Sequence, residues 1–356
     1  MQFERLLITG GAGFVGSNLA ILFQHRFPDL SVVAADNLKR RGSELNLSRL
    51  RQAGVAFEHV DIRVVDDLDN LVDFDLLIDC AAEPSVQSGT TGSPRYVLDT
   101  NLNGTINCLE AARRREAAFL FLSTSRVYPI SQLNSLPFTE HESRFRWDAV
   151  DDISGFSEQG IAETFSLDGP RSFYGASKLS GELLIQEYVF NSGLRALINR
   201  CGILAGPWQM GKVDQGVVTL WAARHHFGKP LKYLGFGGRG KQVRDMLHIE
   251  DLFDLLCRQM ASPQLWDGRV YNVGGGNDVS SSLNELTTIC REVTGNSVDI
   301  TPEPETSDVD LRIYVTDAQQ VSSEFDWSPR RTVRSIVEDI HAWLVAHHED
   351  LTNILG

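Results

Sequence analysis

The sequence lacks a long hydrophobic run, since its longest purely apolar stretch covers only residues 117–122. A helix that crosses a bilayer needs about 20 consecutive apolar residues. The first residues lead into a candidate strand and do not have the charged and apolar segments of a signal peptide. We therefore expect a cytoplasmic protein with no membrane partner.

Positive charge is also scarce. The chain has 33 lysines and arginines against 47 aspartates and glutamates, which gives a net charge of −14. An acidic surface repels the phosphates of nucleic acids and of anionic membranes. Nucleic acid is therefore not expected as a partner, although a local basic pocket for a small anion is compatible with this composition.

Cysteine is rare, and the nine histidines are scattered along the chain. The cysteines lie far apart and do not have the short paired spacings that bind zinc or form a redox disulfide. We expect buried thiols in a reducing compartment and no metal site. The five cysteines are Cys80, Cys108, Cys201, Cys257 and Cys290.

Apolar runs of strand length alternate with helical periodicity through the first two hundred residues. This alternation predicts an α/β fold with a doubly wound, Rossmann-type parallel sheet. From about Gly206 onward, short strands and helices mixed with glycine clusters predict a second, smaller α/β substrate lobe. The predicted strands are Arg5–Thr9, Ser31–Ala35, Ala56–Val60, Leu76–Cys80, Phe119–Ser123 and Ala196–Arg200. The predicted helices are Val15–Phe27, Pro94–Glu116 and Tyr174–Asn191.

Two domains are expected from the length of 356 residues. The first, 1–200, is the predicted dinucleotide-binding domain, with an inserted loop over about 129–172 that is too long for an ordinary connection. The second, 201–356, is mainly the substrate-binding lobe. The chain is expected to recross between the domains near 241–275.

Glycines spaced three apart, Gly10, Gly13 and Gly16, directly follow the first predicted strand and lead into a helix. Backbone N–H groups at a helix N-terminus bind a pyrophosphate, and glycines allow its close approach. An ordinary turn is the alternative. The dinucleotide interpretation is favoured because Asp36 ends the second strand twenty residues later, where it can bond ribose hydroxyls. Further candidate cofactor contacts are Phe14, Val15, Asn37, Asp61, Ile62, Ala81 and Ala82.

Asp36 also bears on which dinucleotide is bound. Its carboxylate would repel a 2′-phosphate, which favours NAD over NADP, although the basic residues 39–41 would partly compensate. Asp61 has an alternative interpretation as a helix cap. We therefore expect NAD as the cofactor.

Tyr174 and Lys178 are four residues apart at the start of a predicted helix and share one of its faces. Thr124 ends the fifth predicted strand, at the carboxyl edge where open α/β sheets bind ligands. Thr124 is expected to bond a substrate hydroxyl, and Tyr174 to take its proton. The Lys178 ammonium and the nicotinamide cation are expected to lower the phenol's pKa.

This set of residues resembles the extended short-chain dehydrogenase/reductase family, specifically its nucleotide-sugar epimerases and dehydratases. The resemblance covers nearly the whole chain and includes the segment 243–251. It implies a tightly held NAD, which Tyr174 and Lys178 also contact, and a nucleoside-diphosphate sugar as substrate. It also implies a homodimer formed through the helices near 94–116 and 174–191.

Segments 36–47, 214–216, 240–245 and 307–317 resemble one subgroup, the CDP-tyvelose (CDP-paratose) 2-epimerases. Ser125 and Arg126 match that subgroup, whereas the 4,6-dehydratases carry an Asp-Glu pair there. The resemblance implies 2-epimerisation of a CDP-dideoxyhexose through a transient keto-sugar. A nucleotide-sugar 4-epimerase or reductase is the alternative, and a non-catalytic dinucleotide sensor is an alternative of another class.

Arg244 and Arg312 are candidate diphosphate ligands, because a guanidinium binds phosphate oxygens in bidentate fashion. The alternative for both is a surface salt bridge. Lys241 and Gln215 are further candidate substrate contacts, together with Ser125 and Arg126.

Overall fold

The computed structural model describes residues 3–149, 153–211 and 215–356. The chain divides into two compact units. The first consists of Met1–Val127, Ser172–Cys201 and Leu252–Tyr271, and the second of Tyr128–Arg171, Gly202–Asp251 and Asn272–Gly356.

Strands and helices alternate along the first unit, whereas the second combines short strands with α-helices. The strands are β1 (Arg5–Thr9), β2 (Ser31–Asp36), β3 (Ala56–His59), β4 (Leu76–Asp79), β5 (Ala118–Thr124), β6 (Phe138–Glu140), β7 (Phe145–Trp147), β8 (Phe156–Ser157), β9 (Gly160–Ile161), β10 (Ala196–Cys201), β11 (Ile203–Ala205), β12 (Leu231–Leu234), β13 (Val243–His248), β14 (Asp267–Val273), β15 (Ser280–Ser282), β16 (Ile300–Glu303) and β17 (Ile313–Tyr314). The α-helices are α1 (Phe14–Arg26), α2 (Asn46–Gln52), α3 (Val65–Asp69), α4 (Arg95–Leu98), α5 (Gly104–Arg114), α6 (Ile130–Ser135), α7 (Phe173–Ser192), α8 (Val217–His226), α9 (Ile249–Met260), α10 (Leu283–Thr294), α11 (Gln319–Phe325), α12 (Val333–Ala346) and α13 (His348–Leu355).

The first unit is built on a seven-stranded sheet in the order β14-β10-β5-β4-β1-β2-β3. The pairs β1–β2, β2–β3, β1–β4, β4–β5 and β5–β10 are parallel. Strand order reverses between β1 and β4, which creates the switch point at which open α/β sheets bind ligands beyond the strand carboxyl ends. The predicted Rossmann-type α/β fold is confirmed.

Burial on both faces explains the continuous apolar character of the central strands. Every residue of β4 and of β5 is buried, as expected where helices cover both faces of a parallel sheet. Strand β1 has the predicted bounds. Strand β5 extends one residue beyond its predicted range at each end, so Thr124 is its last residue.

The helix predicted over 94–116 is interrupted. It consists of α4, a π-helical turn over Asp99–Asn103, and α5. The turn contains Asn101, whose buried side chain accepts from the Glu83 amide at 2.7 Å and donates to the Glu83 carbonyl at 3.0 Å. Apolar periodicity does not reveal such a turn, because it depends on a side chain bonding a distant loop.

The second unit has a small sheet in which β13 pairs with β11, β15 and β17. The segment 129–172, expected as a loop inserted in the first domain, forms α6 and β6–β9, and most of it clusters with the second unit. Phe145 N donates to Lys241 O, and Ile161 N donates to Val315 O, both at 2.9 Å. These bonds join residues about a hundred positions or more apart, which local sequence patterns do not reveal.

A membrane-spanning segment was sought among the described helices, and none of them is both long and apolar enough. All five cysteines are free thiols.

Candidate active site

The glycine loop connects β1 to α1 at the switch point of the sheet. Gly10 has φ of +62°, and a Cβ on Gly16 would lie 2.2 Å from the Gly10 carbonyl oxygen. Gly13 is the N-cap of α1, so no side chain of that residue blocks the helix N-terminus, where Phe14 and Val15 follow. This close packing presents backbone N–H groups as a pyrophosphate site requires.

Asp36 is held beside this loop at the end of β2. Its Oδ2 accepts from Ala12 N at 3.1 Å, and its Oδ1 accepts from Leu38 N at 2.7 Å. Burial raises the pKa of this carboxyl, and the backbone hydrogen bonds oppose the rise. Because a carboxylate has about four lone-pair positions, Asp36 can still accept from ribose hydroxyls.

Asp61 lies after β3 and is bound by two neighbours. Arg63 Nε donates to it at 2.9 Å and Asn37 Nδ2 at 3.2 Å. The Arg63 guanidinium holds the pKa of Asp61 well below its usual range. The alternative of a helix cap is wrong, because Val64 is the N-cap of α3.

The other predicted cofactor contacts differ in exposure. Ile62 is buried in the core, and a Cβ on Gly104 would lie 2.5 Å from its Cδ1. A cofactor contact by Ile62 is thus restricted to its main chain. Ala81 and Ala82 follow β4, and a Cβ on Gly10 would lie 2.9 Å from the Ala81 Cα, so this segment adjoins the glycine loop.

Helix α7 carries Tyr174 and Lys178 in its first turns. The helix begins at Phe173 because Ser172 caps it, its hydroxyl accepting from Gly175 N at 3.2 Å. Tyr174 is hydrogen-bonded to Thr124, the last residue of β5. The structure therefore brings together Thr124 and Tyr174, and Lys178 follows one turn later on the same helix.

The electrostatics of this group are dominated by burial. Burial raises the pKa of Tyr174, while the Thr124 hydrogen bond and then the Arg126 charge lower it. Lys178 is buried, and its Nζ lies 3.9 Å from the centre of the Phe121 ring. Burial lowers the pKa of this ammonium.

Ser125 and Arg126 lie in a short 3-10 turn directly after Thr124. The Arg126 amide donates to the Thr124 hydroxyl at 3.2 Å. Both residues are half-buried. The turn keeps them beside the Thr124 and Tyr174 hydroxyls.

Arg244, in the second unit, forms the salt bridge that was its alternative interpretation. One terminal nitrogen donates to Asp310 Oδ1 at 2.9 Å and to Leu311 O at 2.6 Å, and the other to Val243 O at 2.8 Å. The guanidinium is thus neutralised by a carboxylate of its own chain, and binding a diphosphate would require it to change partners.

Arg312 is enclosed by aromatic rings instead. Its guanidinium carbon lies 4.0 Å from the Phe138 ring centre, 5.5 Å from that of Phe236 and 6.0 Å from that of Phe145. Its Nη1 donates to the Asn134 carbonyl at 2.8 Å. Burial lowers the pKa of Arg312. No salt bridge accounts for this arginine within the described residues.

Lys241 is bound by an acidic neighbour. Lys241 Nζ donates to Glu140 Oε1 at 2.9 Å and to His141 O at 2.7 Å. Gln215 is half-buried just before α8. The preceding Asp214, part of the 214–216 motif, lies outside the described residues.

Two buried polar residues near the site were missed by the sequence analysis. Asn101 holds the main chain of Glu83, as described above. Asp79 ends β4 and accepts from the Thr9 and Thr105 hydroxyls. The available signal for Asp79 was its position at the carboxyl end of a strand otherwise composed of apolar residues.

A doubly wound sheet with a glycine loop at its switch point defines the first unit as a dinucleotide-binding α/β structure. The family model described as the NAD dependent epimerase/dehydratase family matches residues 6–274. The chain belongs to this family. The predictions of an NAD-dependent enzyme and of NAD as its cofactor are confirmed.

Individual relatives show the range of the family. The chain is 31% identical to CDP-paratose 2-epimerase of Salmonella typhi, covering 95% of this chain and 98% of that protein. It is 28% identical to dTDP-glucose 4,6-dehydratase of Salmonella typhimurium, over 98% and 95% of the two chains. A similar solved structure is Thermus thermophilus UDP-glucose 4-epimerase in complex with NAD, with a TM-score of 0.76, 25% identity, and coverage of 96% and 99%.

Proposed function

We propose that the protein is an NAD-dependent nucleotide-sugar epimerase that inverts C2 of a CDP-linked dideoxyhexose. The observation that carries the proposal is the Thr124–Tyr174 hydrogen bond beside the buried Lys178, with Ser125 and Arg126 in the adjoining turn. The relative that is a CDP-paratose 2-epimerase supports the choice of substrate and position.

The residues of the first unit fit the cofactor. The open helix N-terminus at Gly13 would hold the pyrophosphate, and Asp36 would accept from the adenosine ribose hydroxyls. Ala81 and Ala82 would line the nicotinamide side. When bound, NAD accepts a hydride from the substrate carbon and returns it, so the complete cycle is redox-neutral.

Residues of the chain itself carry out the proton transfers. Thr124 holds the reacting sugar hydroxyl, and Tyr174 accepts its proton at Oη as the C–O bond becomes a carbonyl. After the keto-sugar has turned its other face, Tyr174 returns the same proton to the oxygen. The product therefore differs from the substrate only in configuration.

Dehydration of the sugar is not supported by this site. A 4,6-dehydratase needs an acid and a base to remove water, and the residues after Thr124 are Ser125 and Arg126. A serine hydroxyl and a guanidinium that is always protonated are poor substitutes for two carboxyl groups. Arg126 instead opposes the rise of the Tyr174 pKa, which suits a proton-accepting phenol.

We assign nucleotide recognition to residues of the second unit. Arg244 would bind the diphosphate after releasing Asp310, and the N–H groups of Arg312 would assist it. Lys241 and Gln215 are further proposed contacts. The phenylalanine rings around Arg312 hold its planar guanidinium in one orientation, which would reduce the conformational entropy lost on binding.

The position of the chemistry is tested with substrates deuterated at single carbons. CDP-paratose carrying deuterium at C2 should show a primary isotope effect and transfer its label to the cofactor trapped in a single turnover. Label transfer only from C4-deuterated substrate would replace the 2-epimerase assignment by a 4-epimerase. A net, stoichiometric oxidation or reduction would indicate a reductase, and no transfer from any sugar would indicate a non-catalytic sensor.

A homodimer and a cytoplasmic location belong to the same proposal. Leu183 and Phe190, seven residues apart on α7, are 57% and 86% exposed. Large exposed apolar side chains at this spacing form one face of a helix that suits packing against a second copy. Light scattering should give twice the 39.6 kDa chain mass, and Leu183→Glu should halve it. The free thiols are compatible with a reducing compartment.

A further inference from the structure

A buried carboxylate that the proposed mechanism does not use lies at the carboxyl end of β4. Asp79 is completely buried. Its Oδ1 accepts from the Thr9 hydroxyl at 2.6 Å, and its Oδ2 accepts from the Thr105 hydroxyl at 3.0 Å. These hydroxyls orient the carboxylate but carry no charge, so they do not neutralise it.

Strand register places Asp79 close to the lysine of the active site. Asp79 and Phe121 are register partners on the parallel strands β4 and β5, so their side chains leave the same face of the sheet. The ammonium of Lys178 lies 3.9 Å from the Phe121 ring centre. A Cβ on Gly181 would lie 3.1 Å from Phe121 Cζ and 3.6 Å from Thr105 Cγ2, so α7 packs directly over this region.

The second buried carboxylate near Lys178 already has a countercharge. Glu182 Oε2 accepts from Arg200 Nη2 at 2.7 Å and from Arg200 Nε at 3.0 Å, and both residues are buried. The charge of Glu182 is therefore balanced by that of Arg200. Asp79 differs because its side-chain partners are two hydroxyls.

Apart from the Tyr174 phenol one turn earlier on α7, the remaining ionisable groups around Lys178 are thiols. Burial raises the pKa of Cys201 to about 12 and raises those of the other two well above their ordinary values, so all three are uncharged at neutral pH. The groups that interact with Lys178 are Asp79, Cys80, Cys108, Cys201 and Glu182.

We propose that Asp79 is the countercharge that keeps Lys178 protonated, and that it thereby supports Tyr174 as the proton acceptor. An ammonium placed on an apolar ring and removed from water requires a nearby negative charge. Burial lowers the pKa of Lys178, and Asp79 is the largest of the charges that oppose this. Asp79 is a positioning residue, and its connection to Tyr174 rests on the proposed function.

The first test measures Lys178 directly in the NAD-loaded protein. Lysines labelled with ¹³C at Cε report protonation by chemical shift, and the Lys178 signal is identified by its loss in Lys178→Met. Asp79→Asn should lower the titration midpoint of Lys178 by at least about one pH unit. An unchanged midpoint overturns the proposal. No substrate is used, so this outcome is independent of the proposed epimerase activity.

Thr105→Val is the matched control, because it removes a hydrogen bond to Asp79 but leaves the charge in place. Its Lys178 midpoint should stay within a few tenths of a pH unit of the original. A shift equal to that of Asp79→Asn would show that hydrogen bonding, and not charge, is responsible.

The pH profile of turnover gives a second readout whose direction is diagnostic. Turnover should rise with pH as Tyr174 ionises. If Asp79→Asn simply removed a negative charge near Tyr174, the phenol would ionise more easily, and this rise in turnover would move to lower pH. If the variant also deprotonates Lys178, the phenol loses its cationic neighbour and the rise moves to higher pH. A move to lower pH overturns the proposal.

A double variant keeps the test decisive if Asp79→Asn folds poorly. Lys178→Met should reduce stability, because it leaves a buried carboxylate without its countercharge. Combining it with Asp79→Asn should recover part of that loss. The melting temperature of the double variant should therefore fall by less than the sum of the decreases in the two single variants. Strict additivity overturns the pairing.

Discussion

The two units hold their functional side chains in different ways. In the first unit, Asp36 and Thr124 are oriented by backbone and hydroxyl groups that carry no charge. In the second, Arg244 and Lys241 are bound by carboxylates of the same chain, Asp310 and Glu140. Asp36 and Thr124 are therefore oriented without a charged partner, whereas Arg244 and Lys241 would have to exchange ion-pair partners to bind an anion.

This difference predicts where substitutions act on rate and where they act on affinity. Groups that are already oriented lower the barrier to the chemical step without reorganisation. A group that must first leave a partner in its own chain binds the ligand more weakly. The free energy of binding is reduced by the free energy of the interaction that is broken. Tyr174→Phe tests the first side of this contrast, and the Arg244 and Asp310 variants test the second.

Tyr174→Phe should have the largest effect. It removes the proton acceptor while keeping the ring, so turnover should fall by about 10²–10⁴-fold. Steady-state kinetics on the nucleotide sugar measures this. NAD content and melting temperature serve as controls and should be unchanged. Turnover within a few-fold of the original protein would exclude Tyr174 as the base.

Asp36→Ala should weaken NAD without altering the fold of the sheet. The variant loses charge-assisted hydrogen bonds to the ribose, each worth about 1.5–3 kcal/mol, which corresponds to about 10- to 100-fold in Kd. Calorimetric titration of protein stripped of cofactor measures the change. NADP provides the comparison, because its affinity should rise relative to that of NAD. Unchanged NAD binding would contradict the assignment of Asp36.

Arg244→Gln and Asp310→Asn should act in opposite directions on substrate affinity. The first removes a phosphate ligand and should raise KM by about tenfold, whereas the second frees Arg244 from its carboxylate and should lower KM. Arg334→Gln is the matched control, since Arg334 is an exposed arginine of the same unit paired with Glu292. An increase of KM in both variants would assign the pair a structural role only.

Asp245→Asn should act on the free energy of unfolding instead of on rate or affinity. Burial raises the pKa of Asp245 from 3.8 to about 6, so the native state favours its protonated form. The stability contributed by this preference is complete below about pH 4 and is lost as the pH rises through 6. The variant should therefore gain on the order of 2 kcal/mol at pH 7 and little at pH 4. Thermal melts at both values measure this, and equal shifts would disprove it.

Much of the first unit could be predicted from local patterns. The bounds of β1 were correct, and the spacing of Tyr174 and Lys178 placed both on one face of α7. Periodicity missed the π-helical turn at Asn101, which depends on a bond to Glu83 eighteen residues away. It also missed the secondary structure of 129–172, where β8 and β9 pair locally but single backbone bonds from Phe145 and Ile161 reach distant residues.

The ion-pair partners of the second unit could not be predicted from local sequence patterns for a related reason. Arg244 meets Asp310 across 66 residues of sequence, and Lys241 meets Glu140 across 101. Coulombic interactions depend on distance in space and on burial. Neither quantity can be read from spacing along the chain. The sequence could therefore name these cations but not their partners.

The sequence by itself determined the alternation of strands and helices in the first unit, the glycine loop and the positions of the reactive side chains along these elements. These follow from hydrophobic periodicity and from backbone conformations that act over a few residues. Only the tertiary structure decided which buried charges are paired, so that Glu182 meets Arg200 while Asp79 lies near Lys178. The reason is physical: removing a charge from water costs free energy that only groups brought close by folding can offset.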